Sequence, residues 1–407
     1  MRILVTSIID LRKTTHSRTH EIVNHLASSH EVTTLCLNAW WMTRPDGSLL
    51  YGDDYYKQYF TDLKEKVKVI HFAEAGVRPF LQEMSFARRA GDVLDTIGAR
   101  NMDVHLNCGT HISGYAVGRK MKQWGIPTVF DVYDDLPERA RMSPQVPGPL
   151  KYLGWLVALW AYRKNMGLAD RVTVITEALR GAYRWGMDKS QIVPNGVDAE
   201  LFAPQQGTSL RERLGVSDDF VIGYVGLLRE WVELEPPLQA LAHSKVELPK
   251  AKLLIVGEEG ALQQVKDLAA KYGVTDRVLF AGTVPYTEVP QYISAMDVCL
   301  IPIAESADCQ RAFPLKLLEY MACEKPVIST PVAGVKEVAG SRVLYASGSE
   351  ELAERIAQLH QDEDLRSEMG REGRRFVEER YTWKRACSAL EEVLLDAATR
   401  SSLEDRG

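Results

Sequence analysis

Short β-branched runs alternate along the chain with longer segments whose apolar residues recur every three or four positions, a pattern that predicts βαβ units on a parallel sheet. In the first half, strands are expected over 3–7, 32–37, 67–72, 104–107, 128–131 and 172–175, with helices over 16–29, 79–98, 114–124, 150–167 and 177–185. This is one doubly wound domain. After Ile192-Val-Pro-Asn-Gly-Val-Asp198 the pattern restarts, with strands over 221–225, 253–256, 278–280, 298–301 and 327–329. Helices there are expected over 237–243, 261–271, 287–295, 314–323, 351–361 and 365–380, followed by an amphipathic helix over 383–398.

The repetition divides the chain into a first Rossmann-like domain, 1–195, and a second, 196–382. The terminal segment 383–407 is expected to pack back on the first. The stretch from Pro194 to about Arg213, rich in Pro, Gly, Gln and Ser, is the expected linker. Ligands of open α/β sheets bind at the carboxyl ends of the strands, so two such sheets predict a site in a crevice between the domains.

Composition narrows the function classes. A chain of 407 residues, 45% hydrophobic and 26% charged, has the make-up of a globular protein of about two domains. The net charge of −6 gives no general electrostatic reason to bind nucleic acid. Six scattered cysteines form no C-x-x-C pair or zinc-spaced cluster and read as buried thiols of a reducing compartment. With no signal-peptide pattern at the start, the expected location is cytoplasmic. The longest apolar stretch, 152–162, is shorter than the ~20 residues of a membrane-spanning helix. It reads as a buried helix first, and second as a helix whose Trp155, Trp160 and Tyr162 rest on a membrane surface; flanking Lys151, Arg163 and Lys164 would then place the protein at the inner face of a membrane.

Three segments carry chemistry. In Gln310-Arg-Ala-Phe-Pro-Leu-Lys-Leu-Leu-Glu-Tyr-Met-Ala-Cys-Glu-Lys-Pro-Val-Ile328, Pro314 suits the first position of a helix. The amides of Leu315 and Lys316 and the positive helix end then make an anion site, on which Lys316 adds a full charge; diphosphate fits it. Glu319, one turn deeper on the same face, can accept the two hydroxyls of a ribose; the alternative is a routine Lys316–Glu319 surface pair. In Val221-Ile-Gly-Tyr-Val-Gly-Leu-Leu-Arg229, Gly226 lets the backbone approach a ligand and Arg229 offers its planar fork to a leaving diphosphate. Strand-then-glycine recurs at Gly257 and Gly282 and is weak by itself. In the first half, Asp131, Asp134, Asp135 and Glu138 cluster at a strand's carboxyl end. They can orient an acceptor, with Asp131 as a base, or serve as turn and cap residues. His16, after the first strand, is a further phosphate or sugar contact or a solvated helix terminus. Metal binding by His16 and His20 is not expected, for want of a third ligand. The aromatic and acidic insertion 40–60 reads as an acceptor lid or as local packing.

Together these segments resemble the retaining glycosyltransferases of the glycosyl transferase group 1 family, which have the GT-B fold. The resemblance runs from about Ala169 to Trp383 through Ala169-Asp-Arg-Val-Thr-Val-Ile-Thr-Glu177, Val193-Pro-Asn-Gly-Val-Asp198, Gly223-Tyr-Val-Gly226, Leu254-Ile-Val-Gly257, Glu319-Tyr-Met-Ala-Cys-Glu-Lys-Pro-Val-Ile328 and Tyr381-Thr-Trp383. It implies metal-independent transfer of a sugar from a nucleoside-diphosphate donor, as co-substrate with no further cofactor, to a glycan or lipid-linked acceptor, with retention. By the same resemblance Glu319 matches the second acid of an E-x7-E motif, which binds ribose. Arg229 lies near a diphosphate-binding arginine, and Val284 falls where backbone groups read the base. Three positions depart from the pattern. Arg311 stands where the first acid of the motif belongs, with Glu305 or Asp308 as substitutes. Leu227 stands where an arginine is common, and a glycine pair is missing from 10–16. Arg229 and Lys316 then carry the leaving-group charge. Two other readings remain open, a non-catalytic nucleotide-sugar-binding subunit and a sugar-nucleotide epimerase.

Overall fold

The computed structural model describes all residues of the chain except 9, 15, 37–62, 73–80, 110, 143–147, 183–186, 244–247, 258–260 and 405–407. The insertion 40–60 lies outside the described residues. The chain forms two compact units, Met1–Asn195 with Lys384–Gly407, and Gly196–Trp383.

The first unit is built on a seven-stranded parallel sheet. Its strands are β1 (Arg2–Ser7), β2 (Glu31–Cys36), β3 (Lys68–His71), β4 (Val104–Cys108), β5 (Thr128–Val132), β6 (Arg171–Val174) and β7 (Ser190–Ile192), in the order β3-β2-β1-β4-β5-β6-β7. Its helices are α1 (Arg18–Leu26), α2 (Gln82–Thr96), α3 (Ile112–Gln123), α4 (Leu136–Met142), α5 (Lys151–Leu168) and α6 (Glu177–Ala182). Strands β1, β4 and β5 are buried on both faces, as central strands of a sheet covered on both sides must be, and the polar residues they carry, among them Thr6, His105, Asn107 and Asp131, are buried with the apolar ones.

The second unit carries α7 (Thr208–Leu214), β8 (Phe220–Val225), α8 (Glu235–His243), β9 (Ala251–Val256), α9 (Leu262–Lys271), β10 (Val278–Gly282), α10 (Val289–Ser294), β11 (Val298–Ile301), α11 (Leu315–Ala322), β12 (Val327–Ser329), α12 (Ala333–Ala339), β13 (Leu344–Tyr345), α13 (Gly348–Gln361) and α14 (Glu363–Arg380). Its parallel sheet has the order β10-β9-β8-β11-β12-β13. The strand order reverses between β8 and β11, the place where the loops after neighbouring strands leave in opposite directions and open a crevice. The last helix, α15 (Trp383–Glu404), returns to the first unit. There Glu391 accepts hydrogen bonds from His25 and His30 at 2.9 and 2.7 Å, and Asp396 pairs with Arg171 at 2.8 Å.

Three expectations change. The expected linker 194–213 is largely folded: Val197 bridges to Thr382, Phe202 is fully buried, and α7 begins at Thr208. Edge strands β7 and β13 escaped the hydrophobic pattern because three and two residues are too few to show a period. The apolar helix expected to be buried is α5, and one of its faces is open: Tyr152 is 66% exposed, Leu153 56% and Trp160 47%. Of the aromatic residues expected on that face only Trp160 is there. Trp155 donates its indole N–H to Glu138 Oε1 at 2.9 Å, and Tyr162 is buried.

Candidate functional site

Where β8 ends, Gly226 adopts φ +134° and its amide donates to Val256 O at 2.8 Å. On the neighbouring strand Gly257 has φ +119° and donates to Gly282 O at 2.8 Å. Both conformations are open to glycine and strained for other residues. Space makes the same demand. A Cβ on Gly257 would stand 2.4 Å from Gly226 O, and one on Gly226 would stand 2.4 Å from the ammonium of Lys316. The bare edge of β8 and β9 is thus the floor on which Lys316 rests.

Lys316 arrives there because β11 lies beside β8, and α11, which follows β11, begins over the same edge. Pro314 is the residue before the helix (φ −72°, ψ 136°) rather than its first helical residue, so Leu315 and Lys316 are the first two residues of α11. Amides at such positions have no intrahelical partner and point out of the helix end. The Lys316 ammonium donates to Tyr224 Oη at 2.7 Å and lies 4.1 Å from the centre of the same ring. Tyr224 in turn donates to Leu227 O at 2.9 Å, which fixes the turn after Gly226. Burial pulls the Lys316 ammonium down to about 7, partly opposed by the Glu319 carboxylate. A charge held near its titration point beside two free amides is suited to a multiply charged anion, which would restore the full ammonium.

Glu319 faces the same side, one turn deeper. Its Oε1 accepts a hydrogen bond from Tyr286 at 3.2 Å, and Tyr286 leans on Phe202 with ring centres 5.4 Å apart. Tyr320, on the buried side of α11, accepts from the Val225 amide at 2.7 Å and ties the helix to the end of β8. Arg229 and Val284 are half-buried in the loops after β8 and β10. The structure therefore brings Gly226, Gly257, Leu315, Lys316 and Glu319 to one sheet edge. Sequence reasoning missed Tyr224 and Tyr286. Tyr224 had a signal, standing two residues before the glycine and therefore on the same side of the strand as it; Tyr286 had none.

The first unit corrects the expected acceptor residues. Asp131 is completely buried and engaged at both oxygens: Arg18 donates to Oδ2 at 2.9 Å and to Oδ1 at 3.0 Å, and Thr173 to Oδ1 at 2.6 Å. It is the partner of a buried guanidinium that also donates to Pro194 O at 2.7 Å, and no base for an incoming hydroxyl. Asp135 is buried and sits just before α4, where it accepts from the Glu138 amide at 3.4 Å. This is the turn and cap role of the two readings. Asp134 accepts from Arg139 at 2.9 Å and keeps a side chain 34% exposed. His16 is no solvated terminus: its side chain is nearly buried, 3.0 Å from Glu21 and stacked on His20. His20 hydrogen-bonds Ser17 at 2.9 Å and Leu11 O at 2.7 Å, and burial lowers its ring to about 4. Among the described residues no group of three or more His, Cys, Asp or Glu side chains is placed to hold a metal ion. The six cysteines are free and buried.

Comparison with known proteins gives two family matches. Residues 208–376 match glycosyl transferases group 1, and residues 14–196 match the glycosyl transferase 4-like domain. The chain is 25% identical over 309 residues to the D-inositol 3-phosphate glycosyltransferase of Stackebrandtia nassauensis, covering 72% of this chain and 68% of that one. It is 25% identical over 257 residues to the GDP-mannose-dependent alpha-(1-6)-phosphatidylinositol monomannoside mannosyltransferase of Mycolicibacterium smegmatis, covering 60% and 67%. Among solved structures, Anabaena HepE in complex with UDP and glucose is similar with a TM-score of 0.73 at 18% identity, over 97% of this chain and 99% of that one. Sucrose-phosphate synthase of Thermosynechococcus elongatus is similar with a TM-score of 0.76 at 18% identity, over 96% and 98%. The fold is GT-B, two Rossmann-like parallel-sheet domains.

Proposed function

We propose that this chain, which belongs to the group 1 glycosyltransferases, moves a sugar from a nucleoside-diphosphate donor held in its second unit to a hydroxyl of a glycan or lipid-linked acceptor, with retention and without a metal. The observation that carries the reading is Lys316, fixed by Tyr224 at the start of α11 and against Gly226. In the transfer the bond between the anomeric carbon and the diphosphate oxygen breaks, and its electron pair stays on the diphosphate. The acceptor oxygen bonds the same carbon, and its proton passes to the departing phosphate oxygen. Lys316, Arg229 and the Leu315 amide meet the growing negative charge, an electrostatic contribution of the kind that dominates many such sites.

Glu319 takes the ribose hydroxyls, with Tyr286 holding its carboxylate in place. Gly226 and Gly257 leave room for the diphosphate, and backbone groups at Val284 face the base. In the first unit Asp134 is the acidic candidate that keeps an exposed side chain toward an acceptor. A binding-only subunit is the second reading, favoured by Arg311 where an acid belongs in the resemblance.

A thermal-shift panel of UDP, GDP, ADP and CMP with their sugar conjugates tests the donor site. A ligand at a hundred times its Kd stabilises the native state by about 2.7 kcal/mol. One nucleotide class is expected to respond, and Glu319→Ala is expected to abolish the response. No response to any of them defeats the reading. Donor binding without product in the presence of sugar acceptors selects the binding subunit.

A further inference from the structure

From the open face of α5 we infer that the first unit docks on an anionic lipid surface, with α5 lying in the interface. Leu150, Tyr152, Leu153, Leu156, Val157 and Trp160 are all at least two-fifths exposed. On a helix of 3.6 residues per turn the five from α5 fall on one side, and exposed Arg163 and Lys164 continue that side at the helix's C-terminal end. Isolated exposed apolar residues are ordinary, whereas a contiguous stripe of six marks an interaction surface. Among the described residues no helix is long and apolar enough to cross a membrane, so this one lies on the surface rather than spanning it.

Charge identifies the occupant. Neither α5 nor its neighbour α3 contains an acidic residue; together they carry Lys151, Arg163 and Lys164, and Arg119, Lys120 and Lys122. The two helices meet where Tyr115 packs edge-on against Trp160, ring centres 5.7 Å apart, and Arg119 lies 5.9 Å from the centre of the Tyr115 ring; Lys120 turns instead to Gly91 of α2. A chain of net charge −6 carries five positive charges, Lys151, Arg163, Lys164, Arg119 and Lys122, on the two helices that form this stripe, the most exposed apolar one among the described residues. A symmetric dimer through this face would oppose the same five charges on each copy, which argues against a second copy as the occupant. A nucleic-acid backbone would use the charges and leave the leucines and tryptophan in water. An anionic bilayer uses both, apolar side chains in the acyl boundary and ammonium and guanidinium groups among the headgroups. Docking does not depend on the transferase reading. Its consequence does, since a transferase held there meets acceptors carried on lipid.

The test is flotation of the full chain with vesicles of phosphatidylcholine alone and with phosphatidylglycerol added, at low and high salt. The expected result is co-flotation with the anionic vesicles, weakened by salt. Arg163→Gln with Lys164→Gln should lower partitioning roughly 25-fold, about fivefold per basic residue, and Leu156→Glu with Trp160→Glu should abolish it. Both pairs are at exposed positions, and circular dichroism and the thermal midpoint check that the variants fold. Absence of co-flotation, or co-flotation indifferent to both pairs, overturns the proposal. So does sedimentation showing a dimer that Leu156→Glu dissolves while no vesicle is bound. A donor response that survives in a protein that does not float separates failure of this inference from failure of the transferase reading.

Discussion

The ammonium of Lys316 is 2.7 Å from the hydroxyl of Tyr224 and 4.1 Å from the centre of its ring. The lysine comes from the first turn of α11 and the tyrosine from the last turn-facing residues of β8, and Gly226 is the gap that lets them meet. Removing the ammonium removes the charge that faces a departing diphosphate. Loss of one preorganised donor of this kind costs about 2.7–4 kcal/mol in the barrier. Lys316→Met is therefore expected to lower kcat with a sugar acceptor by at least tenfold while the unfolding midpoint is kept or raised. Unchanged kinetics would remove Lys316 from the mechanism.

The same lysine makes donor binding depend on pH. Free, it titrates near 7; beside a diphosphate it must hold its proton to a higher pH, so binding takes up a proton. Affinity for a sugar nucleotide should be flat below about pH 7 and fall by up to about tenfold per unit above it. Calorimetry in two buffers of different ionisation enthalpy measures the proton uptake directly, and Lys316→Met should show none. Tyr224→Phe should displace the pH profile while leaving Lys316 able to bind, a change in KM more than in kcat.

Stability carries a matching signature with the opposite sense. The unfolded lysine keeps its ordinary value of 10.5, whereas the folded one is near 7. Between these values the unfolded chain binds more protons, so this group's contribution to folding stability rises with pH, by at most about 1.4 kcal/mol per unit. Below the folded value both states are protonated and the penalty is complete. Urea titrations across this window should show the rise in the wild type and its loss in Lys316→Met.

Gly226→Ala tests the sheet edge. Its φ of +134° and the 2.4 Å approach of Lys316 leave no place for a methyl group. Strain of roughly 1–3 kcal/mol is expected in urea unfolding, together with loss of the donor-induced thermal shift as Lys316 is pushed aside. A normal thermal shift would show that the ammonium does not need this position.

The Arg18–Asp131 pair separates a structural acid from a catalytic one. Both side chains are nearly solvent-free, and removing either leaves a buried charge, so Arg18→Ala or Asp131→Ala should each cost about 3–5 kcal/mol. Replacing both by apolar residues, Arg18→Met with Asp131→Leu, should recover most of the loss and the activity with it. A double variant that is stable but inactive would return Asp131 to the chemistry.

Acid should loosen the first unit. Burial lowers His20 to about 4 and His105 to about 3, against an ordinary 6.5. His105 is held between the hydroxyls of Thr6 and Thr128 at 2.9 and 3.2 Å. Below 6.5 the unfolded chain gains protons that the folded chain refuses, so stability falls as pH drops toward 4. Thermal midpoints measured over that range should decline, and His105→Gln should flatten part of the decline.

Much of this protein was legible along the chain. Strand–helix alternation and its restart after Asp198 predicted two parallel-sheet domains, because period 2 and period 3.6 are local properties of a sequence. The relation of Lys316 to Glu319 was legible because both lie within one helix, where spacing alone fixes which face a residue takes, whereas Pro314 proved to stand one residue before that helix. What spacing cannot supply is the partner from another element. Asp131 looked like a free carboxylate until Arg18, 113 residues away, was found to occupy it. Tyr224 stands on the same side of its strand as Gly226, but its partner Lys316 was set only when β8 and β11 were placed side by side, which brought α11 over Gly226. The apolar run of α5 reads alike whether its surroundings are protein or solvent. Burial belongs to the neighbours a residue acquires, and those are decided by tertiary packing.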